Sequence, residues 1–450
     1  MEIHLSNYQS PFTNTPTGKH LLNQPLNQLI LVSGATGYIA SRLIPRLLEA
    51  GYRVRCLARS PQKLRHRAWF SQVEVVAGDV TRPASLSAAM QGVSTAYYLI
   101  HSMAAGHGYQ RIDLESARNF AGAAKKAGVE HIIYVGGLAD PREKLALHLL
   151  SRIESGVALR EAGVPVTEFR AGVIAGPGSV SFEMIRFIAE QFPLMIGPDW
   201  LRHRSQPIAT SDIIEYLLAA QVTPECRGEI VELGCEKSRS YIEVMEEFAR
   251  IRGLKRKTLL LPFIPPLVMA FLIDKLTPVE FSYALPLVEG LQNDSLVLEP
   301  TARRLFPSIE PLDYAEAVRQ SLADLDPRRI ERVWLDAGQE HVRLKHEGFL
   351  VDYRVSDLPQ SHEDTKKLGD LVPSWLKNFP RVSGWETVSQ PEGSPLLLKA
   401  QGNLPGELWL EQSATPEGKT SRTLFFAPKG LPGFLYWHML LILKREIFVL

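Results

Sequence analysis

The stretch Leu29-Ile30-Leu31-Val32-Ser33-Gly34-Ala35-Thr36-Gly37-Tyr38-Ile39-Ala40 decides the fold. Four apolar residues form a strand pattern and two glycines interrupt it. Apolar residues then return with helical spacing at Ile39, Leu43, Leu47 and Leu48, up to Gly51. Strand, glycine turn and helix in that order make the opening unit of a dinucleotide-binding sheet. Gly34 lets the chain turn tightly off the strand, Gly37 lets the backbone approach a pyrophosphate, and small Ala40 lets the helix lie close on the sheet. The phosphates then sit on free N–H groups at the positive end of the helix. One residue breaks the local rules: Pro45 falls inside the helix, where it removes a hydrogen bond or bends the axis. Residues 53–58 read as a second strand, ending at Arg59 with Lys63 and Arg65 close behind. NAD-specific sites place an acid there for the ribose 2′-hydroxyl. A guanidinium matches a 2′-phosphate instead, so NADP is the expected cofactor, with NADPH preferred over NADH.

Composition excludes several other classes. A chain of 450 residues, 45% hydrophobic and 22% charged, is an ordinary globular protein of two or three domains. A net charge of +1 without a basic run gives no field for nucleic acid. Cys56, Cys226 and Cys235 are widely spaced and read as reduced packing residues of a cytoplasmic protein. Residues 1–26 are polar, carry Pro11, Pro16 and Pro25, and read as a disordered tail without a signal-peptide core. Two apolar stretches, 258–276 and 431–450, are broken by prolines or charges, and neither offers the ~20 apolar residues a spanning helix needs. Peripheral contact with a membrane stays open. No CxxC or HExxH pattern suggests a metal, and no Gly-x-Ser-x-Gly elbow suggests a hydrolase.

The alternation of strands and helices continues after the first unit. Strands are expected at 73–77, 95–100, 131–135 and 166–169, and helices at 111–127 and 145–162, which predicts a doubly wound parallel α/β sheet of Rossmann type. This first domain is expected over 27–326. Its residues 179–326 read as a substrate lobe of helices (182–191, 241–252), a short strand (229–233) and proline-rich joints. Beyond Pro327-Arg328-Arg329 the period changes to two. Strands at 349–355, 396–400, 407–412 and 420–426 and a helix at 434–447 predict a smaller α+β domain over 330–450. An apolar ligand pocket is expected there, against Trp437, Leu440 and Leu441.

Taken together, GATGYIA, Arg59, Gly78-Asp79-Val80, Val135-Gly136-Gly137-Leu138, His148-Leu149-Leu150-Ser151-Arg152, Phe169-Arg170-Ala171-Gly172-Val173-Ile174 and Pro207-Ile208-Ala209-Thr210-Ser211-Asp212 resemble the atypical branch of the short-chain dehydrogenase/reductases, in particular NmrA-like NAD(P)-binding proteins. The C-terminal Leu424–Trp437 region is similar to a domain of unknown function fused to that group, itself similar to helix-grip folds that hold apolar ligands. The resemblance implies cofactor contacts at Gly34, Thr36, Gly37, Tyr38, Ile39, Arg59, Asp79 and Val80, with Asp79 near the adenine edge. The rival reading is that Asp79 merely caps the turn that follows it. In that superfamily a serine after the fifth strand and a Tyr-x-x-x-Lys pair handle the substrate proton. Here Gly136-Gly137 replaces the serine, and the pair is His148 and Arg152.

His148 is therefore the candidate proton donor, an imidazole titrating near neutrality, and Arg152 the candidate holder of ribose or phosphate. His101, at the end of the fourth strand, is a lesser candidate. The implied function is an NADP-dependent oxidoreductase acting on a small apolar carbonyl, alkene or quinone-like substrate. The alternatives are a non-catalytic NADP(H)-sensing regulatory protein and, disfavoured by Arg59 and the missing tyrosine, a sugar-nucleotide epimerase.

Overall fold

The computed structural model describes residues 28–443 apart from 104–105, 107, 338, 357–381, 389–394 and 416–417. The expected tail and the end of the last helix lie outside the described residues, as does the side chain of Leu441. In chain order, the strands of the first domain longer than two residues are β1 (Leu29–Ser33), β2 (Arg53–Ala58), β3 (Glu74–Ala77), β4 (Thr95–Tyr98), β5 (His131–Gly137), β6 (Val166–Ala171), β7 (Leu194–Pro198), β8 (Ile230–Leu233) and β9 (Lys257–Leu261). Its main helices are α1 (Tyr38–Glu49), α2 (Tyr109–Ala127), α3 (Leu147–Glu161), α4 (Val180–Gln191), α5 (Thr210–Ala219), α6 (Tyr241–Ile251), α7 (Pro266–Leu276), α8 (Phe281–Gly290) and α9 (Tyr314–Ala323).

Seven strands form one parallel sheet in the order β8-β6-β5-β4-β1-β2-β3. The continuous apolar run of β1 follows from burial on both faces: Leu29 and Leu31 enter the core on one side, Ile30 and Val32 the core on the other. Chain order reverses between β1 and β4, which opens a crevice at their carboxyl ends. Helix α1 runs through Pro45 without a break. Strand β8, expected in the substrate lobe, is instead the edge of the main sheet, pairing with β6 from Ile230↔Glu168 to Leu233↔Ala171. The lobe proper consists of α4 and α6–α9 with the parallel pair β7–β9.

The second domain is an antiparallel sheet of β10 (His341–His346), β11 (Phe349–Ser356), β12 (Gly384–Thr387), β13 (Leu396–Gln401), β14 (Gly406–Ala414) and β15 (Thr420–Pro428), ordered β10-β11-β15-β14-β13-β12. Helix α10 (Gly430–Leu443) follows. It starts four residues earlier than the expected Phe434, because Pro432 sits in its first turn, where a missing N–H costs nothing. Trp437 and Leu440, expected to face an apolar pocket, belong to a packed cluster between sheet and helix. The Phe426 ring stacks on Trp437 at 5.8 Å, and Phe434, Tyr436 and Leu440 complete that core. The opposite sheet face buries Phe349, Trp409 and Phe425 against Trp334.

The two domains meet through buried charge on α4. Arg186 donates to the Gly348 carbonyl (3.0 Å), Glu183 accepts from Gly348 N (3.1 Å), and Glu190 accepts from Gly430 N (2.6 Å).

Candidate functional site

The glycine turn stands at the crevice. Gly34 has φ +71°, and a Cβ there would lie 2.5 Å from the Leu99 carbonyl oxygen at the end of β4, so a side chain is excluded by both backbone and space. At Gly37, which caps α1, a Cβ would meet only the turn's own Gly34 oxygen, at 3.0 Å. The helix start has no side-chain cap and no acid in its first turn. The amides of Tyr38, Ile39 and Ala40 precede the first helical hydrogen bond, Ser41 N to Gly37 O. These features fit a pyrophosphate. Thr36 is exposed beside them, whereas the Tyr38 side chain is otherwise engaged: its hydroxyl bonds Thr210 Oγ1 at 2.7 Å and its ring carries the Arg42 guanidinium at 3.9 Å.

Arg59 is exposed at the end of β2, and its charge acts on Asp79 and on the Tyr283 hydroxyl of α8. Asp79 follows β3 and does cap its turn, accepting from Thr81 N (2.9 Å) and Thr81 Oγ1 (2.8 Å) through Oδ1. Partial burial pushes its carboxyl up, but the Thr81 bonds together with Arg59 and Arg82 bring it below the usual range. Val80 is buried, and its carbonyl is held by the Asn119 amide at 3.0 Å.

From the glycine turn a cavity of about 390 Å³ runs past Leu99, His101, Gly137, His148 and Arg152 into the lobe. Its far walls are apolar: Met184, Ile185 and Ile188 of α4, Met245 of α6, Met269 and Ile273 of α7, and Leu287 and Val288 of α8. His148 and Arg152 thus lie together on the crevice side of α3. A Cβ at Gly137 would sit 3.2 Å from Leu149 and 3.6 Å from Arg152, so the glycine that replaces the serine lets α3 pack close. Gly290 plays the same part opposite: a Cβ there would fall 2.0 Å from His148 Cε1.

The expectation that His148 titrates near neutrality is not met. Burial, reinforced by the neighbouring His101 and Arg152, drives it down to about 3, so it is a neutral imidazole, and its Nδ1 has no hydrogen-bond partner among the described residues.

The sequence reading missed what holds His101. Its Nδ1 lies 2.6 Å from Oδ2 of Asp113 on α2, and that carboxylate also accepts from Ser151 Oγ (3.0 Å) and Ser102 N (2.8 Å). Burial pushes the Asp113 carboxyl up, but His101 and Ser102 outweigh burial and hold it below the usual range. An ionised carboxylate only accepts, so His101 Nδ1 donates and Nε2 is left free; Nε2 is buried without a partner among the described residues. Burial and Arg152 lower the His101 pKa against the pull of Asp113. No local signal marked Asp113. It is a polar residue within the 109–127 helix, and only the fold brings it beneath β4.

Residues 34–152 match a family described as NAD(P)H-binding. The first domain has a Rossmann-like fold, and its residues 34–152 carry that NAD(P)H-binding match. The chain is 28% identical over 254 residues to a ceramide reductase of Caulobacter vibrioides, covering 55% of this chain and 77% of that protein. It is 26% identical over 243 residues to a photosystem II assembly factor of Cyanophora paradoxa, covering 52% and 71%. Among solved structures, a Citrobacter triphenylmethane reductase complexed with NADP(H) superposes with a TM-score of 0.52 at 19% identity, over 65% of this chain and 99% of that one. That likeness covers the first domain's share of the chain and concerns the fold. Among the described residues no helix is long and apolar enough to cross a membrane, and no cluster of three or more His, Cys, Asp or Glu could hold a metal ion.

Proposed function

We propose that the protein is an NADPH-dependent reductase of a small apolar carbonyl, alkene or quinone-like compound. The carrying observation is a cavity that begins at the phosphate-binding turn and continues, walled by aliphatic and methionine side chains, into the lobe. Ceramide reductase and, in fold, triphenylmethane reductase, among the proteins it resembles, are by name reductases. Bound NADPH supplies the hydride.

The chain's own residues bind, orient and move the proton. The α1 amides hold the pyrophosphate, Arg59 takes the 2′-phosphate, and Arg152, a fixed cation, holds ribose or phosphate. His148, a neutral N–H donor in a dry wall, polarises the acceptor atom of the substrate. His101, its Nδ1–H locked on Asp113, presents an unprotonated Nε2 that can take up a proton from solvent and pass it to the reduced substrate.

The deciding experiment follows loss of NADPH absorbance with a panel of apolar carbonyl, alkene and quinone acceptors. Turnover that drops roughly a hundredfold in His148→Ala, with NADPH affinity unchanged, supports the assignment. Full activity in that variant removes His148 from the chemistry. The missing Tyr-x-x-x-Lys pair favours one other reading, a sensor of NADP(H): tight NADPH binding with no turnover across the panel would establish it.

A further inference from the structure

The outward face of the substrate lobe is built from hydrocarbon. In the β7–β9 pair, Leu194 stands beside Lys257 and Ile196 beside Leu259, so alternate residues share the outer face. On it Leu194, Ile196, Leu259 and Leu261 are exposed by 46%, 50%, 45% and 38%. The chain then turns through Phe263, which is 97% exposed with φ +66°, a left-handed backbone that an aromatic residue adopts only at a cost. Helix α7 follows. It buries Ala270 and Ile273, and it exposes Leu267, Val268, Phe271 and Leu272 by 59%, 47%, 55% and 42%. Nine of the eighteen exposed large apolar side chains among the described residues fall in these two short segments. Single exposed leucines need no explanation, but a contiguous patch does.

Two observations identify what covers it. Lys255 and Lys257 are exposed at the start of β9 and give that edge of the patch a cationic rim suited to anionic headgroups, while Lys275, exposed at the end of α7, is paired with Asp274 at 2.8 Å. The patch is also the outside of the cavity wall. Ile196 is half exposed yet lines the cavity, and Met269 and Ile273 of α7 line it from within. The side chains named on this face include no Tyr, Trp or Arg, the residues that carry most of the binding energy at protein interfaces. A bilayer on this face would lie against the outside of the cavity wall.

We propose that the β7–β9 face, the Phe263 turn and α7 form a membrane-docking surface for an anionic phospholipid bilayer, through which the cavity draws its substrate from the lipid phase. The docking stands on the patch alone; the substrate route rests on the reductase reading.

The test is co-sedimentation of the full chain with phosphatidylcholine vesicles, with and without phosphatidylglycerol, and sedimentation equilibrium without lipid. The wild type should pellet with vesicles, more strongly with phosphatidylglycerol, and a Phe263→Glu/Phe271→Glu variant should bind at least about tenfold more weakly. Val157→Glu, an exposed apolar site on α3 outside the patch, should bind as the wild type does, and unchanged stabilisation by NADPH would show both variants folded. Wild type that stays in the supernatant with both vesicles, or patch and control variants that bind equally, overturns the docking. So does a lipid-free dimer that the patch variant alone dissolves, which would make the face a self-association surface. Vesicle binding without turnover on any acceptor leaves the docking standing and defeats the reductase reading instead; turnover without vesicle binding does the reverse.

Discussion

Lowering the pH from 7 to 5 should destabilise the first domain through two buried histidines. His148 is held at about 3 and His131 at about 4, both mainly by burial, against 6.5 for free imidazole. A folded value below the unfolded one means that the unfolded chain takes up the proton first as pH falls, so stability is complete above 6.5 and drains away from there down to the folded value. Integrating proton uptake between pH 7 and 5 gives about 1.4 protonation units for each histidine, or about 2 kcal/mol each. Asp212 acts with the opposite sign. Burial lifts its carboxyl from 3.8 to about 6, the folded state then binds the proton first, and acidification to pH 5 returns about 1.3 kcal/mol. The three together predict a net loss of about 2 to 2.5 kcal/mol, a large share of an ordinary domain's stability.

The assay is urea unfolding at pH 7, 6 and 5 at constant ionic strength, on the wild type and His148→Leu. The variant should lose about 2 kcal/mol less than the wild type across that range. Equal losses in the two proteins, or a His148 proton resonance that titrates near 6.5, would refute the burial argument and reopen this imidazole as an acid with its own limb in the pH–rate profile.

Other perturbations test the site directly. Arg59→Ala should erase most of a ten- to hundredfold preference for NADPH over NADH, the worth of a charge-assisted contact of about 1.5 to 3 kcal/mol, as measured by titration with both cofactors. Gly37→Val should abolish NADPH binding while circular dichroism stays that of the wild type, because the new side chain points into the phosphate approach and crowds only its own turn. Gly290→Ala should lower turnover with little effect on NADPH affinity, since its methyl would take the place of the His148 ring. Asp113→Asn should lower turnover and shift the pH–rate profile, because an amide leaves Nδ1 of His101 free to change tautomer.

What the sequence disclosed and what it withheld divide along a physical line. The parallel sheet was legible because burial on both faces forces uninterrupted runs such as Leu29–Val32, and because Gly34 serves a turn that no side chain tolerates. The NAD(P)H-binding family was legible for the same reason, since a backbone turn built to face a phosphate leaves glycines behind in the sequence. The substrate end was not. His101 and Asp113 are twelve residues apart on a strand end and a helix, and their pairing exists only after β4 and α2 pack.

The lobe hid its purpose behind broken rules. Helix α8 runs through Pro286, and α4 buries Glu183, Arg186 and Glu190, whose charges are met by the second domain's backbone. In α7 apolar residues on both faces resembled a failed membrane span, but the two faces have separate employments. One lines the cavity and the other meets the exterior, and that division is why the helix is neither amphipathic nor long enough to cross a bilayer. With a cavity behind it and, among the described residues, its other face exposed, α7 would on the docking proposal be the wall through which an apolar substrate enters, from the side that the Phe263 turn marks.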